Sequence, residues 1–279
     1  MTHIKVLTLN IWDVGESLDR RNALLASGLK RLQPDIVCLQ EVSRLPPTQP
    51  VRSELFAAPC GLNHHVFSGL GESEVGEANL PRNMEGLSIL SRFPALRQAS
   101  VALPYFAGDV PRQILLAEFA IGQSRIAVAT THLAFPPGFS SQREVQMRKA
   151  LDAVDQFAAQ ADIDAIILTG DLNDEPGSPA VQAILGSRQG FRDAYSACHP
   201  NDPGATFAST NPYVGPGYAP GLRIDFIFAT PKLEPVECTL VFDGTGGFDF
   251  VSDHLGVLCV FQDGHPSTLT SVNTGRTPG

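Results

Sequence analysis

The chain has 279 residues, 43% of them hydrophobic and 18% charged, with a formal net charge of −9. That length and apolar content suit one large domain or two small ones with a sizeable core, and they exclude a disordered chain. The acidic balance argues against tight nonspecific binding to nucleic acid, which needs a basic footprint, although a metal ion could supply positive charge locally.

The segment HIKVLTLNIW alternates and then runs apolar, which predicts a strand ending near Asn10. Leu18, Leu25, Leu29 and Leu32 follow at helical spacing, and Pro34 stops that helix. DIVCLQEV predicts a second, wholly apolar strand ending in Gln40 and Glu41, which completes a strand–helix–strand unit. Residues 43–83 are rich in Pro, Gly and Glu and predict a long excursion with a short helix around Glu54. EGLSILSRF, RQASVAL, RQILLAEFAI and SRIAVATTHLAF then predict strands with short connections. The next helix carries Val145, Leu151, Val154 and Ala158 on one side, and the apolar strand DAIILTGDLND follows it. A short helix over 177–187 is capped by Ser178, and LRIDFIFAT, VECTLVF and LGVLCVF close the series as strands.

Strands from both halves, with helices between them, predict two packed sheets flanked by helices in one domain over 1–262. The polar remainder, 263–279, reads as a flexible tail. Five widely spaced cysteines without a C-x-x-C pair read as reduced core thiols. With a strand pattern at the start instead of a leader, and no run of transmembrane length, the expectation is a cytoplasmic protein. The sequence points to no protein partner.

Several of these strands begin or end on an acid, amide or imidazole: Asn10, Glu41, Glu85, His132, Asp171, Asn173, Asp225, Asp253 and His254. Each has an ordinary alternative. Asn10 suits a turn, as do Asp171 and Asn173 in GDLND. Glu41 and Glu85 could be solvated strand ends, and His132 a satisfied core histidine. Asp225 lies in an otherwise apolar strand, where an unpaired carboxylate is costly, so it calls for a partner. Arg112 and Arg223 are candidates for phosphate contact, with ordinary salt bridges as the alternative. Arg20, Arg21, Lys30 and Arg31 form a small basic group on a helix and read as a solvated face.

Taken in chain order, Asn10, LQEV, THL, GDLN, RIDFIF and SDH resemble the motifs of the endonuclease/exonuclease/phosphatase superfamily, the DNase I-like enzymes, from residue 10 to residue 254. The resemblance implies an α/β fold, a four-layered α/β/β/α sandwich of two mixed sheets flanked by helices. It also implies a divalent-metal-dependent hydrolase of phosphoester bonds. Glu41 would hold Mg²⁺ or Mn²⁺, assisted by Asn10 and Asp253, since hard cations take oxygen ligands. His254 would be the base that activates water, oriented by Asp225. Asp171 and Asn173 would position the nucleophile and the phosphoryl oxygens. His132, paired with Glu85, would donate to the phosphate or the leaving group. A histidine at the His132 position resembles the nuclease, sphingomyelinase and phosphatase branches and not the apurinic-site endonucleases.

The acidic balance, and the acids Glu72, Glu74 and Glu77 ahead of EGLSILSRF, favour a small-molecule or lipid phosphoester as substrate. The alternatives are a DNA or RNA nuclease, including one that removes blocked ends, and a catalytically silent binding module that kept the fold.

Overall fold

The computed structural model describes residues 3–13, 17–43, 51–69, 86–217 and 221–263. Alternation along β1 (His3–Asn10) sends Leu7 and Leu9 to one face and Ile4 and Val6 to the other. Helix α1 (Leu18–Leu32) packs Leu25 and Leu29 on the Leu7 and Leu9 face. It ends where Gln33 turns left-handed just before Pro34. Strand β2 (Ile36–Val42) then returns parallel to β1. After α2 (Glu54–Ala57) come β3 (His64–Ser68), β4 (Gly86–Ser91), β5 (Ala95–Ala102), β6 (Gln113–Ile121) and β7 (Ser124–His132). Helix α3 (Ser140–Ala158) crosses over to β8 (Ala165–Asp171), which runs parallel to β7. The chain closes with α4 (Pro179–Leu185), β9 (Arg192–Asp193), α5 (Ala194–Cys198), β10 (Asp225–Ala229), β11 (Leu233–Val241) and β12 (Gly256–Asp263).

These strands form two six-stranded sheets, ordered β11–β12–β1–β2–β4–β3 and β5–β6–β7–β8–β10–β9. Val6, Cys38, Leu115, Val128, Ile167, Ile227 and Cys259 fill the space between them. Outside the second sheet, Met147, Ala150, Val154 and Phe157 of α3 and Val181 and Ile184 of α4 pack on Leu116, Ile166 and Leu168. Helices on both outer faces of two apposed sheets make the expected four-layered sandwich. Each large apolar side chain buried in these layers contributes about 1.5–3 kcal/mol. The five cysteines are unbonded, and four of them are buried. Among the described residues no helix is long and apolar enough to cross a membrane.

The fold departs from two expectations. The buried face of α3 is Arg143, Gln146, Met147, Ala150, Ala153, Val154 and Phe157, while Val145 is 49% exposed. Two polar residues displace the apolar stripe because they hold a loop: Gln146 accepts from the Ala134 N–H at 2.9 Å, and Arg143 donates to the Ala134 carbonyl at 3.0 Å. Strand β3 lies within the expected excursion, in a stretch too polar to announce a strand. β9 and α5 are likewise short and carry little pattern. Glu72, Glu74, Glu77, Glu85 and the segment 264–279 lie outside the described residues.

Two glycines are fixed by packing. A Cβ on Gly28 would stand 2.2 Å from the Phe242 ring, so a glycine inside α1 lets that helix reach the sheet. Gly170 has φ 144°, and a Cβ there would lie 2.0 Å from the Thr131 carbonyl oxygen. Gly170→Ala is therefore expected to cost about 2–4 kcal/mol, read as a lower urea midpoint. A loss below about 1 kcal/mol would mean that β7 and β8 separate freely at this point.

Candidate active site

The inner faces of four strands change character toward one end. Val6, Thr8 and Asn10 follow one another on β1, and Cys38 and Gln40 on β2. Val128, Thr130 and His132 do so on β7, and Ile167, Thr169 and Asp171 on β8. Side chains two apart share a face, so each strand passes from the core into a polar floor. Gln40 stitches the floor across the sheets, donating to Thr8 Oγ1 at 3.1 Å and Thr130 Oγ1 at 2.9 Å. β10 runs antiparallel to β8 and enters with Asp225 opposite Asp171. The loop before β12 delivers Asp253 and His254 to the same end.

Here the polar groups meet. His254 Nδ1 and Asp225 Oδ2 are 2.8 Å apart, and His254 Nε2 lies 3.7 Å from Asp171 Oδ2. Phe207 packs against the His254 ring, with centroids 5.0 Å apart. Asn10 Nδ2 donates to both Asp171 Oδ2, at 3.0 Å, and Glu41 Oε1, at 2.9 Å. Asn173 donates its N–H to Asp171 Oδ1 at 2.9 Å, and its Nδ2 stands 3.0 Å from His132 Nε2. Register places His132 beside Asp171.

Alternation alone would send Glu41 to the helix side with Leu39. Instead Glu41 takes φ 57°, next to the register shift between Leu39 and Val42 in the β2–β4 ladder, and its carboxylate meets Asn10. Asn173, at φ 49°, is also left-handed. Backbone strain of this kind collects where side chains must be aimed.

The electrostatics follow from burial and crowding. Burial, then the charge of Asp225, pushes Asp171 up to about 6. Burial also raises Asp253. Burial opposes a charge on His254, but the carboxylates of Asp225, Asp171 and Asp253 outweigh it and push the imidazole up to about 10. Burial, then the charges of Arg112 and His254, holds His132 well below its ordinary value, so it is neutral. Asp171, Asp225 and His254 also present potential metal-ligand atoms within 4.8 Å of one another.

A pH dependence follows for the metal-free protein. His254 binds its proton more tightly when folded, so its contribution to stability is complete below 6.5 and is lost as pH rises through about 10. Asp171 acts in the same sense in a lower window, complete below 3.8 and lost as pH rises through about 6. Urea unfolding in chelator is expected to give a midpoint that falls across the upper window, and His254→Gln is expected to flatten that fall. An unaltered slope in the variant would assign the effect to another group.

The structure therefore brings together Asn10, Glu41, His132, Asp171, Asn173, Asp225 and His254, with Asp253 adjacent in the chain. Arg112 is buried and held by Asp109 through Nε at 3.0 Å and Nη2 at 2.8 Å. Arg223 is held by Asp193 at 2.8 Å and by Ser196 at 2.9 Å, at the start of α5. Both thus make the salt bridges given above as the alternative to phosphate contact. Arg21 corrects the solvated-face reading, since it is 2% exposed while Arg20, Lys30 and Arg31 are exposed. Residue 21 falls on the helical stripe of Leu18, Leu25 and Leu29, but its charge masks that place in the sequence. Trp12 and Asp13 follow Asn10 in the chain, and Tyr213 packs against Trp12; the sequence pattern marks none of the three. Asp13 accepts from the Ser43 N–H at 2.8 Å and pairs with Arg52 at 2.6 Å, tying the loops after β1 and β2 together.

The sequence matches the model of the endonuclease/exonuclease/phosphatase family over residues 7–254. Nocturnin of Drosophila melanogaster is 25% identical over 278 aligned residues, which cover 88% of this chain and 42% of the fly protein. The human Nocturnin catalytic domain, solved with a bound sulfate anion, superposes with a TM-score of 0.67 at 20% identity, covering 94% of both chains. An endonuclease/exonuclease/phosphatase from Beutenbergia cavernae superposes with a TM-score of 0.71 at 28% identity, over 95% of this chain and 72% of that one. D. rerio TDP2, complexed with single-strand DNA product, gives a TM-score of 0.71 at 20% identity, over 94% of this chain and all (100%) of that one.

Proposed function

The chain belongs to the endonuclease/exonuclease/phosphatase family, and from that premise we propose that it is a divalent-metal-dependent phosphoester hydrolase acting on a small-molecule or lipid phosphoester. The observation that carries the reading is the buried Asp225–His254 pair, 2.8 Å apart, with the free edge of the imidazole turned toward Asp171. Asp225 fixes the ring and its tautomer by accepting from Nδ1–H, which leaves Nε2 to take a proton from water. Asp171, Asn173 and His132 line the place where the phosphoryl oxygens and the leaving group would lie.

The donor set fits a hard cation. Glu41, Asp253 and Asp171 offer oxygens, and Asp225 Oδ1 is buried without a hydrogen-bond partner among the described residues. The crowding that raises Asp171 is negative charge that a cation relieves. In this reading Glu41 and Asp253 hold Mg²⁺ or Mn²⁺. Asn10 aligns Glu41 through Nδ2, while its Oδ1 accepts from the Trp12 N–H at 3.0 Å. When bound, the ion supplies positive charge for the phosphate and offsets the carboxylates. His254 is then free to be neutral at Nε2, as a base must be.

The preference for a small or lipid ester rests on charge. The net charge is −9, and Arg52, Arg112 and Arg223 are each committed to an aspartate. A nuclease or end-processing phosphodiesterase is the second reading, drawn from the DNA product held by the similarly folded D. rerio protein. The two separate in a competition experiment. Oligonucleotides and a small aryl diester are offered together at rising salt. Turnover of the small ester that exceeds cleavage of the strands and is insensitive to salt supports the first reading. Preferential, salt-sensitive cleavage of the strands establishes the second. The five unbonded cysteines are consistent with a reducing compartment, and we assign the protein to the cytoplasm on that ground.

A further inference from the structure

Trp12 is the one tryptophan of the chain and stands two residues beyond Asn10. Its backbone is left-handed, at φ 47°, a conformation that is costly for a bulky side chain and persists only where its surroundings impose it. Its ring meets Tyr213 with centroids 5.7 Å apart and planes inclined at 50°. The Arg21 guanidinium lies against both, 4.9 Å from the Trp12 ring centre and 5.8 Å from that of Tyr213.

The supports of this pair all lead to the site. Arg21 donates to the Ile11 and Val251 carbonyls at 2.9 Å each and to the Trp12 carbonyl at 2.8 Å. It thereby clasps the loop after Asn10 to the loop that carries Asp253. Tyr213 donates its N–H to Asn211 Oδ1 at 3.0 Å, and Asn211 Nδ2 donates to the Ser252 carbonyl at 2.9 Å. Yet both rings remain half-buried. These are held at the ends of the two loops that carry Asn10 and Asp253, through the Trp12 N–H on Asn10 Oδ1 and through Asn211 on the Ser252 carbonyl, and both residues stay partly exposed.

We propose that Trp12 and Tyr213, backed by Arg21, form a stacking wall for a planar aromatic group carried by the substrate phosphate, either a nucleobase or an aryl group. The inference rests on the phosphoester reading and narrows its substrate class. Stacking on such a wall is tolerant of the group's identity, because every planar ring offers a π-face. The wall selects aromatic over alkyl esters and leaves the phosphate to the buried residues.

The single tryptophan makes the test direct. Its fluorescence is followed in the intact protein with Mg²⁺ during titration with AMP, phenylphosphonate and methylphosphonate. Saturable quenching by AMP or phenylphosphonate at concentrations where methylphosphonate gives none is the expected result. Tighter binding of AMP identifies a nucleobase, and tighter binding of phenylphosphonate an aryl group. Equal responses to aromatic and methyl ligands, or no response to any of them, would overturn the wall. A second readout uses Tyr213→Leu, at the half-buried rim. The ratio of kcat/KM for an aryl ester to that for an alkyl ester is expected to fall about 10-fold, the loss of one stacked ring. An unchanged ratio would overturn the proposal. Quenching by the aromatic ligands in a protein that turns over no ester would uphold the wall while removing the hydrolase reading on which it was built.

Discussion

Replacing His254 by alanine is expected to lower kcat on a simple phosphodiester by about 100- to 10,000-fold, the range attributed to a positioned general base. His254 is buried and bound to Asp225 at 2.8 Å, so no neighbouring group can take its place without rebuilding the pocket. Removing it also leaves the Asp225 carboxylate without its partner, which carries a stability cost of its own. Circular dichroism and a urea midpoint therefore accompany the rate measurement. His254→Gln, which keeps a polar group near Asp225, separates folding from catalysis. Asp225→Asn is expected to act through the same proton, so the double variant should lose far less than the product of the two single losses. A folded His254→Ala protein with near-normal kcat would remove His254 from the role of base.

The second large effect is expected at Glu41. Glu41→Gln keeps the shape of the side chain and its contact with Asn10 but removes the charge. It is expected to raise the Mg²⁺ concentration needed for half-maximal activity by at least about 10-fold and to lower kcat by about 100-fold. Metal binding followed by calorimetry should weaken in parallel. The left-handed backbone at φ 57° is imposed by the bulge, so the variant should keep its fold. If Glu41→Gln kept full metal affinity and lost only rate, Glu41 would act on the substrate and not on the ion.

Much of this arrangement was legible before any coordinates. The apolar strands, the Pro34 stop and the Ser178 cap are local signals, and the four-layered sandwich follows from them with the family resemblance. Asp225 announced its partner by being a carboxylate in an apolar strand, and that partner is His254. What stayed hidden depends on contacts distant in sequence. Arg143 and Gln146 are buried because two loop segments offer carbonyl and amide groups to them. Arg21 is buried because its guanidinium meets carbonyls on either side of the site. Polar residues of this kind look solvated in a helical pattern unless their place on the apolar stripe is taken at face value. Glu41 is the converse case. Its position at the strand end left a solvated acid open, the role proposed for it comes from the family resemblance, and the turn that aims it comes from a bulge that no alternation pattern contains. The salt bridges of Arg112 with Asp109 and of Arg223 with Asp193 are set by tertiary packing that no local pattern announces.

The central claim is a metal-dependent phosphoester hydrolysis run by the Asp225–His254 pair. The most direct test is turnover of an aryl phosphodiester by the intact protein with Mg²⁺ or Mn²⁺, then with chelator, then with metal restored, and His254→Ala carried alongside. Turnover that vanishes in chelator, returns with metal and is nearly absent in the variant is the predicted result. Turnover indifferent to chelator, or equal in the variant, would contradict it.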